Sequence, residues 1–346
     1  MGQGSVDISV VLATYNRAAS LRTTLESFAK LVIPPSLSWE LLVVDNNSRD
    51  NTRAVVENFM AQLGPRVRYV FEGTQGRSAA INAGVSSAQG SVVAFTDDDV
   101  LLDKNWLANL WSGFDDTSVQ AIAGRIFPRW IKPKPSWLEM DGQQAIVNFD
   151  MGDVPKEIFI APMGANSAFR KEVFARHGLF RLDLGVRGDT HTITCDDTEF
   201  AGRLMRVRDK IVYCPAAIVH HPVDPERATK KYFLRWYYYN GVSLVRTDGL
   251  PNIGVFYFGV PRWFYRELLE NAARWFTSVN PIRRFRYKLR TCRSLGYIAE
   301  SRRLSQARKQ GLAAQLEASQ STSIAGSRET NLQHIRGTDA GRQFYP

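Results

Sequence analysis

Three consecutive aspartates, Asp97, Asp98 and Asp99, follow a short apolar run at positions 92–95. Like charges this close repel one another, so a purely structural role would not need all three. Alternation along an extended chain places Asp97 and Asp99 on the same side. Carboxylate oxygens grouped in this way suit Mg²⁺ or Mn²⁺ that also contacts phosphate. The cluster favours a divalent metal site, and the alternative is a solvated acidic turn.

A second acidic cluster, Asp196, Asp197 and Glu199, begins a stretch of helical periodicity about a hundred residues later. Acidic residues complement the dipole at a helix N-terminus, which is a sufficient structural explanation. The alternative is a second half of the site, in which one carboxylate acts as a general base. His220 and His221 follow the last predicted strand. His221 is the preferred candidate for a further metal ligand, against a helix-cap or surface position.

Apolar runs at 8–13, 41–44 and 92–95 are typical of buried strands, 67–71 is a further predicted strand, and segments of helical spacing separate the four. This alternation predicts an α/β fold with a doubly wound, mainly parallel sheet and helices on both faces. Ligands bind beyond the carboxyl ends of such strands. Polar residues stand at these ends, and we expect them to meet there: Thr14, Tyr15, Asn16 and Arg17, then 45–48, then 97–99. Asn47, Ser48 and Asp50 suit a helix cap equally well.

Composition divides the chain into three parts. Residues 1–225 carry the alternating pattern, interrupted by a proline-containing segment at 125–158 that we expect to be irregular. Residues 226–310 are aromatic and basic, with 18 Lys and Arg between 226 and 309 against 5 Asp and Glu, and we predict a helical extension there. Residues 311–346 are poor in large apolar side chains, which predicts a disordered tail.

The net charge of +10 therefore resides mainly in the extension. Trp and Phe beside Arg and Lys are typical of helices that lie in an anionic membrane interface. The alternative is a helical element that packs on the catalytic part or on a second subunit, giving a homo-oligomer. Nucleic acid is a further candidate partner, but no nucleic-acid-binding motif is present, so none is predicted. Trp130 and Trp137 suit either a sugar-stacking platform or packing.

Three cysteines without a CxxC pair indicate a reducing compartment. The first residues lack the apolar region of a signal peptide. No uncharged apolar run approaches the roughly 18–20 residues that cross a bilayer. These observations predict a cytoplasmic protein, with peripheral attachment to the cytoplasmic face of a membrane as the role of the extension.

Five segments together resemble glycosyltransferase family 2, the inverting transferases of the GT-A fold. They are VVLATYNR at 10–17, LVVDNNSRDNT at 42–52, GRSAAINAG at 76–84, AFTDDDV at 94–100 and DDTEF at 196–200. Each segment is weakly specific alone, but all five occur in the family's order and spacing over roughly residues 7–225. The resemblance implies a GT-A catalytic domain that binds a nucleotide sugar.

The resemblance also implies residue roles on the donor side. Thr14 and Tyr15 line the nucleobase, with Tyr15 stacking on it. Asp45 accepts a hydrogen bond from a base N–H, typically that of uracil, so the expected donor is a UDP-sugar. Arg17 is assigned to the donor site with them. Arg77 lies near the diphosphate or the nucleobase of the donor.

The metal and the base follow from the same motifs. Asp97 and Asp99 form the family's Asp-x-Asp motif, in which Asp99 binds Mn²⁺ or Mg²⁺ and Asp97 binds the ribose or the metal. Asp98 between them is assigned to donor binding. In the last motif Asp197 is the catalytic base. Family members often carry Glu-Asp where this chain has Asp196-Asp197, which leaves Asp196 as the alternative base.

A further departure lies in the third motif, where many members carry Arg before the asparagine and this chain has Ile81 before Asn82. The predicted function is inverting transfer of a sugar to an acceptor hydroxyl, in polysaccharide or glycolipid synthesis, with a sugar or a lipid-linked glycan as acceptor. Two alternatives remain: a metal-dependent nucleotidyltransferase, which also uses paired aspartates on an α/β sheet, and a nucleic-acid-binding α/β protein.

Overall fold

The computed structural model describes residues 6–138, 145–188, 193–251 and 253–311. The tail predicted to be disordered lies almost wholly outside these residues. The first half alternates strands with helices. Its elements are β1 (Ile8–Thr14), α1 (Ala18–Phe28), β2 (Trp39–Asp45), α2 (Thr52–Leu63), β3 (Val67–Phe71), α3 (Arg77–Ser87), β4 (Val92–Thr96), β5 (Leu101–Leu102), α4 (Trp106–Ser112) and β6 (Val119–Trp130).

The second half completes the sheet and adds a helical extension. Its elements are β7 (Lys156–Glu157), β8 (Asn166–Arg170), α5 (Glu172–His177), α6 (Asp196–Arg206), β9 (Lys210–Val223), α7 (Lys230–Asp248), β10 (Phe256–Tyr257), β11 (Val260–Pro261), α8 (Arg262–Thr277) and α9 (Pro281–Lys309). No helix within the described residues is long and apolar enough to cross a membrane.

Among the described residues, the main sheet has the order β3-β2-β1-β4-β8-β6-β9-β5, and β7 pairs with β9. Strands β3, β2, β1 and β4 are parallel, β8 is antiparallel to both neighbours, and β6 is again parallel to β9. The predicted mainly parallel α/β sheet is therefore confirmed. Because β1, β2, β4, β6 and β9 run the same way, their carboxyl ends meet at one edge.

The burial of the central strands explains why their apolar runs could be recognised in the sequence. Strand β2 is buried along its whole length, as an apolar strand covered on both faces must be. Helix α3 consists largely of small residues, and a Cβ on Gly84 would stand 2.3 Å from Val11 Cγ1. The small side chains therefore allow α3 to lie directly on β1, which fixes the start of α3 beside the carboxyl edge.

The segment at 125–158 is more regular than expected, because β6 continues through Pro128 to Trp130. Strand β8 pairs with β6 only over 121–123, while β9 pairs with it along the whole strand. Beyond 123 the side of β6 away from β9 carries a bridge from Ile126 to Phe149. A proline is tolerated where a strand has an open side, so Pro128 does not end β6.

Helices α7, α8 and α9 form the predicted extension. Asn280 accepts hydrogen bonds from the backbone N–H groups of Ile282 and Arg283 and so caps the start of α9. Helices α7 and α9 cross at two glycines. A Cβ on Gly241 would stand 2.2 Å from the Arg293 carbonyl oxygen, and one on Gly296 would stand 2.1 Å from the Tyr238 carbonyl oxygen. The two backbones are therefore as close as they can come.

This crossing predicts opposite effects for the same substitution at two helical glycines. Gly296→Ala forces α7 and α9 apart and should destabilise the fold by about 1–3 kcal/mol, as overpacking does. Gly202→Ala in α6 meets nothing closer than 3.8 Å. It should therefore stabilise the protein by about 0.5–1 kcal/mol, because alanine is the better helix former. Urea denaturation of both variants measures the difference, and equal effects would contradict the close crossing.

Candidate active site

The loops after β1 and β2 are joined by hydrogen bonds at the carboxyl edge. The backbone N–H of Asn16 donates to Ser48 Oγ at 2.9 Å, and Asn16 Oδ1 accepts from the backbone N–H of Arg49 at 2.7 Å. Asp50 accepts from Ala18 N–H and from Thr52 N–H, each at 3.0 Å, so one carboxylate serves the starts of α1 and α2. These bonds connect the backbone around half-buried Tyr15 to the loop after Asp45.

Asp45 is buried at the end of β2, opposite Thr14 of β1. One carboxylate oxygen accepts from the backbone N–H of Ser48 at 2.9 Å, and the other accepts from the Tyr69 hydroxyl at 2.7 Å. Burial and this bond to a carboxylate raise the pKa of Tyr69 to about 12, so it stays a donor. Each oxygen of Asp45 can still accept a second hydrogen bond, since a carboxylate offers about four acceptor positions.

The three aspartates after β4 alternate in direction. Asp98 is 5% exposed and points back towards β1. Its Oδ2 accepts from Thr14 Oγ1 and its Oδ1 from Arg17 Nη1, both at 2.8 Å. Burial, helped by the negative charge of Asp99, raises the pKa of Asp98 to about 6. The positive charge of Arg17 and the hydrogen bonds from Arg17 and Thr14 lower this pKa, but by less. Asp98 thus holds Thr14 and Arg17 in place from beneath the cleft.

Asp97 and Asp99 point the other way, towards His221 at the end of β9, as the alternation predicted. His221 Nε2 lies 3.4 Å from Asp99 Oδ1 and 3.9 Å from Asp97 Oδ2. Potential ligand atoms of these three side chains all lie within 4.8 Å of one another. His220, the other candidate, is exposed and stacks on Phe127.

The donor set fits a divalent metal. No hydrogen-bond donor within the described part of the chain reaches the buried Asp99 Oδ1, while Asp99 Oδ2 accepts from Arg17. His221 Nδ1 lies 3.0 Å from the Pro222 carbonyl oxygen. A carbonyl only accepts, so Nδ1 carries the proton and Nε2 presents its lone pair to the aspartates. An orphaned carboxylate oxygen, a second carboxylate and an oriented imidazole suit Mn²⁺ or Mg²⁺.

Arg77, the first residue of α3, joins the two acidic clusters. Its Nη2 lies 3.3 Å from Asp97 Oδ1, and its Nη1 lies 2.6 Å from Asp196 Oδ2. The surrounding carboxylates, Asp196 foremost, overcome burial and raise the pKa of Arg77, which remains charged. A Cβ on Gly164 would stand 2.3 Å from Arg77 Nη2, so only glycine leaves the guanidinium its space. The resemblance had placed Arg77 near the diphosphate or the nucleobase of the donor, and it did not indicate the contact with Asp196.

Asp196 and Asp197 have different surroundings at the start of α6. Asp196 is buried and bound to Arg77. Asp197 accepts from the backbone N–H of Thr198 at 2.7 Å and from that of Gly164 at 3.3 Å. Burial first, and then the charge of Asp196, raises the pKa of Asp197 to about 6. Of the two acids, Asp197 is the one without an arginine bonded to it among the described residues.

Aromatic packing fixes the position of α6. Phe200, one turn after Asp197, is fully buried and stacks on Phe180 with ring centroids 4.5 Å apart. Phe174 also stacks on Phe200, with ring centroids 5.1 Å apart. Such pairs add to the free energy gained by burying the rings. The acidic start of α6 is therefore held on a rigid base.

The two tryptophans considered for sugar stacking, and Ile81 of the third motif, pack against other side chains. Trp137 packs edge-on against Phe233 of α7 and Phe285 of α9, with centroids 5.1 Å and 5.2 Å apart, and Trp130 packs against the same cluster. Packing is thus the reading that the contacts favour for both tryptophans. Ile81 is buried in the main core.

Comparison with known proteins identifies the domain. Residues 9–178 match the family model described as Glycosyl transferase family 2. The chain is 26% identical over 231 residues to the succinoglycan biosynthesis protein ExoM of Rhizobium meliloti (strain 1021), covering 66% of this chain and 71% of that protein. It is 27% identical over 241 residues to the O-antigen chain rhamnosyltransferase WbaN of Salmonella anatum, covering 65% and 70%.

A solved structure shares the architecture. It is that of the mannosyltransferase PcManGT from Pyrobaculum calidifontis in complex with GDP-Man and Mn²⁺, and it superposes with a TM-score of 0.51 and 21% sequence identity. The match covers 93% of this chain and 81% of that one. The fold of the catalytic part is therefore GT-A, and the chain is a glycosyltransferase whose domain at 9–178 belongs to glycosyltransferase family 2.

Proposed function

We propose that this enzyme transfers a sugar from a nucleoside-diphosphate sugar to an acceptor hydroxyl, with inversion and with a divalent metal, in the synthesis of a polysaccharide or cell-envelope glycan. The observation that carries the proposal is the bridge of Arg77 from Asp97 to Asp196, which joins a metal-type cluster to a second acidic cluster in one cleft. Two relatives, a succinoglycan biosynthesis protein and an O-antigen chain rhamnosyltransferase, support the class of product.

The nucleoside belongs at the end of β1 and β2. Thr14 and half-buried Tyr15 line this end, and Tyr15 presents an aromatic face for a base. Asp45 keeps free acceptor positions beside its bonds to Ser48 and Tyr69, and an imide N–H is a matching donor. Uracil carries such a group, so the proposed donor is a UDP-sugar.

Mn²⁺ or Mg²⁺ would be held by Asp97, Asp99 and His221, and such an ion offsets the negative charge that develops on a departing diphosphate. Arg17 keeps Asp99 in position by holding its other oxygen at 3.0 Å. Arg77 supplies a fixed positive charge between Asp97 and Asp196 and limits the repulsion between them. Asp98 contributes to donor binding only indirectly, because its carboxylate holds Thr14 and Arg17 in position.

Asp197 is the proposed base, because Asp196 is committed to Arg77. Asp197 accepts the proton of an acceptor hydroxyl, and that oxygen bonds to the anomeric carbon from the face opposite the diphosphate. The bond to the diphosphate breaks as the new bond forms, which inverts the configuration. The N–H groups of Thr198 and Gly164 orient the Asp197 carboxylate without neutralising it.

Product analysis separates this proposal from a nucleotidyltransferase. With radiolabelled UDP-sugars and a panel of acceptors, glycosyl transfer releases UDP, whereas transfer of the uridylyl group leaves sugar 1-phosphate. Exclusive release of sugar 1-phosphate would overturn the proposal. A panel of nucleotide sugars, tested for thermal stabilisation of the protein with Mn²⁺, tests the assignment to uridine.

The acceptor side is proposed to include a lipid-linked glycan, used at the cytoplasmic face of a membrane. The basic and aromatic extension supports this, because α7 is bonded to the segment that leads into α6. Arg246 of α7 donates to the Asp183 carbonyl oxygen, and Ser243 accepts from Thr194 N–H. The extension and the proposed base thus form one connected unit.

Removal of one metal ligand should abolish both metal binding and transfer. We expect Asp99→Asn to lose Mn²⁺ binding measured by isothermal titration calorimetry, because it removes a charged ligand while preserving shape. EDTA should inactivate the wild type, and Mn²⁺ or Mg²⁺ should restore it. Asp115→Asn, on the exposed surface, is the control and should behave as wild type. Full activity in EDTA would contradict metal dependence.

Substitution of the proposed base should affect turnover and spare donor binding. Asp197→Asn keeps the shape but cannot take a proton, so kcat should fall by roughly 10²–10⁴-fold with little change in donor affinity. Asp196→Asn, which releases Arg77, should weaken donor binding as well. If Asp197→Asn turned over normally, the base would be Asp196 or another group.

The raised pKa of Asp197 sets the direction of the pH dependence. A base works only when ionised, so kcat should fall as the pH is lowered through about 6 and stay constant above that range. Asp196→Asn removes the neighbouring negative charge that raises the pKa of Asp197 and keeps the Arg77 charge that lowers it, so the inflection of its residual activity should move to lower pH. An unchanged inflection in that variant would show that another group controls the profile.

A further inference from the structure

A group of exposed apolar side chains lies on the extension. We call it the apolar strip. Its members lie in the β10–β11 hairpin, on α8 and in the turn before α9, and they would be costly to leave in water if nothing covered them. They are Ile253 (88% exposed), Phe258 (87%), Trp263 (42%), Leu269 (69%), Phe276 (69%) and Val279 (97%).

Helical periodicity places two of the α8 members on one face. Leu269 and Phe276 are seven residues apart, which returns to the same side of a helix, and Trp263 lies on the flank of that face, about 120° around the helix from Leu269. The opposite face packs on α9: Phe264 stacks on Tyr297 with centroids 4.8 Å apart, and Asn271 is buried. The strip is therefore the face of α8 left over after α8 has packed.

The hairpin continues the strip at the start of α8. A Cβ on Gly254 would lie 3.4 Å from Trp263 Cζ3, so the hairpin backbone contacts the first member on α8. The Tyr265 hydroxyl donates to the Tyr257 carbonyl oxygen at 3.4 Å and ties the hairpin to α8. Val279 follows the end of α8, and that end lies about 21 Å along the helix from Trp263 at 1.5 Å per residue.

Basic residues border the strip. Arg262 is exposed at the start of α8, and Arg283 and Arg284 are exposed at the start of α9, beside Val279. Lys288 lies over the ring of Trp275, 5.3 Å from its centroid. The acidic Glu270 on the same face is paired with Arg266 at 2.7 Å. The border is therefore positively charged, with projecting apolar side chains between the charges.

We propose that the apolar strip enters the interface of an anionic lipid bilayer, with the arginines of its border on the headgroups. The most exposed members project from the hairpin and from the turn at the two ends of α8, so they form two wedges rather than a groove that fits a partner. A symmetric pairing of two strips would bring the basic borders together and is disfavoured by repulsion. Aromatic and basic residues around apolar wedges suit a membrane interface.

Membrane docking by the strip rests on the proposed function, because a lipid-linked acceptor is what would make docking useful. The binding of vesicles can nevertheless be measured without any acceptor. The strip follows directly after α7, whose Arg246 is bonded to the Asp183 carbonyl oxygen near the start of α6. Arg181 donates to the carbonyl oxygens of Thr247 and Arg246 from the other side. Docking of the strip would therefore hold the proposed base at a set position relative to the bilayer.

The test is flotation of the full chain with liposomes. Vesicles of phosphatidylcholine and phosphatidylglycerol should carry the protein upward at low salt, and vesicles of phosphatidylcholine alone should carry much less. Raising the salt should release it, because exposed charges are screened. Absence of binding to the anionic vesicles at low salt would overturn the proposal.

Paired variants assign the binding to the strip. Phe276→Ser with Val279→Ser removes one wedge, and Arg283→Glu with Arg284→Glu reverses two charges of the border. Each pair should reduce the partition coefficient by about tenfold or more. Phe159→Ser is the matched control, since Phe159 is 72% exposed but lies in the catalytic part. A loss of binding in the control equal to that in the wedge variant would place the contact elsewhere.

Two further measurements separate the outcomes. Light scattering during gel filtration reports the oligomeric state, and a wild-type dimer that the wedge variant converts to a monomer, without vesicle binding, would make the strip a subunit interface. Release of UDP from the donor with a water-soluble acceptor should be unchanged in the wedge variant. Absence of UDP release in this assay would contradict the proposed sugar transfer, whereas loss of vesicle binding alone concerns the apolar strip. The two proposals are therefore tested separately.

Discussion

Repulsion among carboxylates is the constraint around which the cleft is built. Asp97, Asp98 and Asp99 meet Asp196 and Asp197 in a partly buried space, where unpaired charges are costly. Two arginines offset them: Arg17 contacts Asp98 and Asp99, and Arg77 contacts Asp97 and Asp196.

The pairing leaves two groups without an arginine bonded to them. One is Asp99 Oδ1, for which the described residues offer no donor, and the other is the carboxylate of Asp197. A metal and an acceptor proton are the positive species that such groups attract in glycosyl transfer. The distribution of arginines therefore determines which carboxylates hold the site together and which are left for chemistry.

Much of this arrangement was visible in the sequence, because the signals were local. A short apolar run such as 41–44 is typical of a central strand covered on both faces. Alternation along the chain after β4 placed Asp97 and Asp99 on one side. Pro128 led to the prediction of an irregular segment where β6 in fact continues, because a single sequence does not reveal which side of a strand lacks a hydrogen-bonded neighbour. The bonds of Arg77 to Asp196 and of Tyr69 to Asp45 span 119 and 24 residues. No local pattern encodes such distances, and only packing of the whole domain brings these partners together.

Gly164 limits how far the catalytic edge can vary. Its missing side chain leaves room for the Arg77 guanidinium, and its backbone N–H donates to Asp197. A mutant library aimed at new acceptors can diversify the exposed residues 154–157, but a Cβ at Gly164 would meet the Arg77 guanidinium at 2.3 Å, so the arginine would have to shift. Such a shift would disturb its contacts with Asp97 and Asp196. Redesign of the enzyme has to work around that position.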